Sequence, residues 1–137
     1  MARIAEPPAT PVRRSKRNWK LWSVLILLVL PAALFSAYTW LTLHYSYSTG
    51  ERAGYVQKIS QKGWLCKTWE GELAMTTVPG TAPQIFDFSV RDDATARQIE
   101  HAAGQRVALA YRQHKGVPSS CFAETEYFVT GVRLIGP

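Results

Sequence analysis

IFDFSVRDDATARQIEHAAGQRVALAYR, residues 85–112, sets two alternating runs on either side of a helix whose ends are both marked. From Ile85 to Arg91, Phe86, Phe88 and Val90 fall on one face and Asp87 and Ser89 on the other, the period of a half-buried strand. Asp92 and Asp93 offer an N-cap and negative charge to an alanine-rich helix over 94–103, and Gly104 supplies its stop. Arg106 to Arg112 returns to alternation, with Val107, Leu109 and Tyr111 in step.

Working outward, Gly54 to Ser60 reads as a first strand, and a turn at Gln61-Lys62-Gly63 leads into a second, Trp64 to Met75, bent at Gly71. The Pro and Gly content of residues 76–84 marks a loop, and Tyr127 to Ile135 forms a last strand. The order β-β-β-α-β-β, with the helix between the third and fourth strands, is that of an OB-like five-stranded barrel. An SH3-like barrel, or a small open sheet with one covering helix, shares this one-dimensional pattern.

Ahead of this mainly-β part, LWSVLILLVLPAALFSAYTWLTL (21–43) carries no charged side chain and, as a helix, would extend roughly 34 Å at 1.5 Å per residue, enough to span a bilayer core. Trp19 and Trp22 stand at one end, and Tyr38, Trp40, Tyr45 and Tyr47 at the other, where amphipathic rings favour the interface. Pro31 removes one backbone donor and predicts a kink, which membrane helices tolerate. The protein's formal charge of +6 is concentrated ahead of the span, where six basic residues against Glu6 make the tail +5. The positive-inside rule then puts the N-terminus in the cytoplasm and the folded part outside, a single-pass signal-anchor in a bacterial cytoplasmic (inner) membrane with a periplasmic domain. A cleaved signal peptide is the competing reading, but the apolar run exceeds a usual h-region and lacks small residues three before Ala33 and Ala37. The expected organisation is a disordered basic tail (1–20), a transmembrane helix (21–43), a linker (44–50) and an extracytoplasmic domain (51–137).

About 85 residues remain for that domain, a size at which burial alone gives marginal stability. Cys66 and Cys121 both fall on the side where oxidation is allowed, so a disulfide is expected, with two buried free thiols as the alternative. A metal site built from His114 and both cysteines lacks a fourth ligand and a recognised spacing, and His44 and His101 suggest no triad. No G-x-G occurs, which argues against nucleotide chemistry, and no cofactor is expected. Glu70 with Glu72, and Glu124 with Glu126, have the spacing of solvated strand faces beside Lys and Arg. The one basic and aromatic set near the OB-type binding loops is Lys62, Lys67, Trp69, Arg112 and Lys115, with Trp64 on the opposite strand face to Trp69. Since the folded part carries only about +1, nucleic acid is not an expected partner.

The run GERAGYVQKISQKGWLCKTWEGELAM (50–75), with IFDFSVRDD (85–93) and GVPSSCFAETEYFVTGVR (116–133), resembles a family of short uncharacterised bacterial single-span membrane proteins over nearly all of 50–134. Some of its members carry the label 6-phosphogluconate dehydrogenase, which this chain, too short and without a dinucleotide fingerprint, does not support. The resemblance implies a shared anchor and fold and no site residue.

The expectation is therefore a membrane-anchored, non-enzymatic interaction module, touching lipid through its helix and meeting an envelope protein. The alternatives are a binding domain for an envelope polymer or small anionic ligand, and a thiol-dependent enzyme using Cys66 or Cys121.

Overall fold

A computed structural model describes residues 18–75 and 78–136. Most of the expected tail, up to residue 17, and Thr76 and Thr77 of the expected loop lie outside the described residues. By packing, the chain divides into two compact units, Met1–Leu34 and Phe35–Pro137.

The apolar run is helical throughout: α1 spans Trp19–His44, 26 residues with Pro31 inside, and none of its residues is buried. It is long and apolar enough to cross a membrane. Its apolar side chains, Leu27 and Leu34 among them, face outward, which in water would forfeit the gain of burial.

Five strands follow: β1 (Ser48–Lys62), β2 (Thr68–Met75), β3 (Ile85–Val90), β4 (Arg106–Gln113) and β5 (Tyr127–Leu134), with helix α2 (Asp93–His101) between β3 and β4. They close a barrel in the order β1-β2-β3-β5-β4. β1 closes it by serving two partners: its first half pairs with β4, from Ser48 opposite Gln113 to Tyr55 opposite Arg106, and its second half with β2, down to Lys62 opposite Thr68. The register slips between Val56 and Lys58 where the partners change, and such a bulge bends a strand. β3 and β5 meet in parallel through Ser89–Phe128 and Val90–Val129.

Several boundaries differ from the sequence reading, among them Gln61 and Lys62, expected in the turn, which end β1. Ser48 to Gly50, expected in the linker, belong to β1, because pairing with β4 supplies partners that local propensity does not foretell. Trp64 to Lys67, expected in the second strand, form the β1–β2 loop, where Cys66 leaves the sheet to meet Cys121.

The core follows the alternation. Phe86, Phe88, Val90, Val107 and Leu109 are all buried, joined by Val56, Leu73, Ile99 and Val129. Each fully buried side chain of this size contributes about 1.5–3 kcal/mol relative to exposure. Gly71 leaves the space that the Phe88 ring fills, since a Cβ there would strike that ring and stand 2.9 Å from the Lys58 carbonyl. Helix α2 starts as expected, with the Asp92 carboxylate accepting from the Thr95 backbone N–H at 2.9 Å and from its hydroxyl at 2.8 Å. These bonds, the hydroxyl's first, hold the Asp92 carboxyl below its ordinary pKa. The chain leaves the helix through Gly104 at φ +76°, a conformation glycine adopts without cost.

Candidate functional site

On β1, β2 and β3 the residues that face away from the core are polar and fall into two rows. Lys58, Glu72 and Asp87 stand side by side, as do Ser60, Glu70 and Ser89. The loop between β4 and β5 folds back over the second row. Together they form a cleft of about 390 Å³ lined by Lys58, Lys62, Glu70, Glu72, Asp87 and Glu124, with Gly71 and Thr125.

Glu70 organises its floor. It is only 4% exposed, a correction to the solvated strand face expected for it. One of its oxygens accepts from Ser89 Oγ at 2.5 Å, and the other from the backbone N–H of Glu124 at 3.1 Å. Ser89 Oγ in turn accepts from the Thr125 backbone N–H at 3.2 Å and lies 2.8 Å from Thr125 Oγ1. A buried carboxylate on β2 thus fastens the far loop to the sheet through β3, with both Glu70 oxygens and the Ser89 hydroxyl hydrogen-bonded, as burial requires.

The same loop is fastened twice more. Cys66 and Cys121 form a disulfide across 4.9 Å between Cα atoms, so the β1–β2 and β4–β5 loops are covalently joined at one rim of the cleft. Lys62 Nζ lies 3.5 Å from Glu124 Oε2, an exposed pair of small energetic worth.

Of the basic and aromatic set, only Lys62 lines this cleft. Lys67 sits exposed in the β1–β2 loop, and Arg112 is exposed on β4. Trp69 packs against the core, and its Nε1 donates to Asp93 Oδ1 at 2.7 Å, tying β2 to the start of α2. Lys115 stands 3.9 Å over the Tyr47 ring. The five residues therefore do not share one surface.

The side-chain contacts of His114 are with Thr42 and Phe128. It is buried, its Nδ1 donates to the Thr42 carbonyl at 3.0 Å, and its ring meets Phe128 edge-on. Among the described residues no three of His, Cys, Asp and Glu gather in a metal-binding group. Arg52, which the sequence reading passed over, lays its guanidinium on Phe86 at 4.4 Å and beside Tyr111 and Tyr127. Its parity with inward-facing Gly54 and Val56 was the available signal.

The cleft's four acidic side chains outnumber its two lysines, a formal balance of −2. Glu72 and Asp87 lie directly opposite one another on β2 and β3, a like-charge arrangement that costs energy and that Lys58, opposite Glu72 on β1, offsets from one side.

The profile of one family, a domain of unknown function (DUF8785), matches residues 45–134. The chain belongs to this family. The DUF8785 domain as matched takes in all five strands, α2, both cysteines and every residue of the cleft, and begins directly after α1. No curated protein matches the chain.

Proposed function

We propose that this DUF8785 protein is a membrane-anchored, non-enzymatic binding module whose OB-like barrel offers the β1-β2-β3 cleft to a basic segment of an envelope protein. In this reading α1 spans a bacterial cytoplasmic membrane once, with the basic tail inside and the barrel on the outer face. The length and outward apolar surface of α1 support the span, and the tail charge supports the orientation. The ring order β1-β2-β3-β5-β4 with a helix between β3 and β4 supports the OB-like assignment. In that architecture ligands lie across strands 2 and 3, between the β1–β2 and β4–β5 loops, which is where this cleft lies.

The observation that carries the proposal is the charge of the cleft. Lys62 is engaged by Glu124, while Glu72 and Asp87 face one another with only Lys58 on one flank, so an incoming Lys or Arg on the open flank would relieve the remaining repulsion. This favours a basic polypeptide over the anionic polymer or ligand. Catalysis by a thiolate is disfavoured because both cysteines are joined to each other.

The test is a photo-crosslinking residue at position 58 or 87 of the intact membrane protein in living cells. A discrete protein adduct is expected, and it should be lost when Glu72→Lys is added. A folded, exported protein that yields no protein adduct at either position would overturn the proposal and return weight to a polymer or small ligand.

A further inference from the structure

The β1–β2 loop ends in two large apolar side chains that the domain leaves uncovered. Trp64 is 102% exposed and Leu65 91%. Lys62 and Lys67 flank them. The next residue after this tip, Cys66, is bridged to Cys121, and the neighbour of Cys121, Phe122, lines an apolar depression with Phe35, Thr39, Trp40 and Leu43 of α1. The loop that carries Cys121 is held along the same turns twice more, by Tyr38 Oη donating to the Gly116 carbonyl at 3.1 Å and by His114 on Thr42.

The turns Phe35–His44 contain Tyr38 and Trp40, aromatic residues of the kind that settle at a bilayer surface. With α1 read as a membrane span, a loop lying along them would sit at headgroup depth. With 4.9 Å between the cysteine Cα atoms, chain geometry keeps the Trp64 Cα within about 16 Å of that of Phe122.

From this we infer that the Trp64–Leu65 tip is a second lipid contact, seated in the interfacial layer of the leaflet that α1 leaves, with Lys67 toward anionic headgroups. The inference rests on reading α1 as a membrane span. Indole and leucine suit that layer, where one side is apolar and the other wet, and lysines there are drawn to anionic lipid. Two side chains on a loop tip are also far less than the roughly 800 Å² per side of a stable protein interface. Because the disulfide joins the tip to the loop lying on α1, the tip stays close to the helix whatever its contact.

The experiment uses the full chain in vesicles of phosphatidylcholine and phosphatidylglycerol, with a photo-reactive diazirine residue at position 65, at 64 in a second preparation, and at 28 in a third. Lipid adducts are expected at all three positions, with the yield at 65 falling several-fold in a Lys67→Glu background. Lipid at 28 with none at 64 or 65, or an adduct there to a second copy of the chain, would overturn the lipid contact and leave the anchor standing. No lipid adduct at 28 would overturn both.

Discussion

Replacing Cys66 and Cys121 together by serine should remove most of the barrel's thermal margin. The disulfide spans 55 residues of sequence, and closing a loop of that length in the unfolded chain accounts for about 4 kcal/mol in the chain-entropy model. Little packing is lost in the exchange, since Cys121 is exposed and Cys66 half-buried. For a domain near 100 residues a loss of that size lowers the melting temperature by roughly 20 °C. The assay is thermal unfolding of the full chain in detergent, followed by near-ultraviolet circular dichroism so that helix α1 does not mask the barrel. Denaturant titration adds a separate check: if the crosslink acts on the unfolded ensemble, the serine variant should expose more surface on unfolding and show a steeper dependence on urea. A variant that melts within about 5 °C of the parent, well short of the shift worked from loop length, would refute the reasoning. It would mean that the unfolded chain already holds these two loops together, or that the barrel's hydrogen bonds alone suffice.

Glu70→Ala should cost about 3 kcal/mol, because the Ser89 hydroxyl and the Glu124 amide lose a buried charged acceptor; faster hydrogen exchange at Glu124 and Thr125 would locate the damage. Gly71→Ala should lower the urea midpoint by the equivalent of about 1–3 kcal/mol through collision with the Phe88 ring, whereas Gly131→Ala, with open space around it, should change it little. The folded state lowers the Asp92 pKa, so its capping contribution is complete above the unfolded value near 3.8 and is lost as pH falls through the lower folded value. Asp92→Asn keeps a cap that does not titrate in this range, so the stability difference between parent and variant should hold constant above about pH 5 and change only below about pH 4.

The features legible in the sequence are those written over short distances. Phe86, Phe88 and Val90 announce a core face by their spacing, and Asp92 and Gly104 mark the helix ends through bonds and dihedrals that involve only near neighbours. The cysteine pair was legible through compartment and size. The candidate site was largely hidden because it depends on what comes to lie over what. Glu70 has the surroundings of an exposed strand residue until Glu124 and Thr125, more than fifty positions away, cover it. Trp69 and Lys67 share a strand parity on paper, yet the chain leaves the sheet at Lys67, and Trp69 turns to the core and Asp93. The places of the basic set depend on packing that spacing does not encode: Arg112 lies opposite Thr49 of β1, and Lys115 stands over Tyr47.

The double duty of β1 carries a kinetic consequence. Ser48 pairs with Gln113 and Lys62 with Thr68, so the strand's two ends wait on partners separated by about a third of the chain, and the ring is complete only when β5 enters beside both β3 and β4. Contacts so distant in sequence give a high relative contact order, which places folding on the millisecond-to-second scale of β-barrels. Before β5 arrives, the β1–β2–β3 meander would stand with an open edge on β3, and that edge can pair with other chains. On the proposed reading of α1 as a membrane span, tethering each nascent domain singly to a bilayer would limit how often two such edges meet.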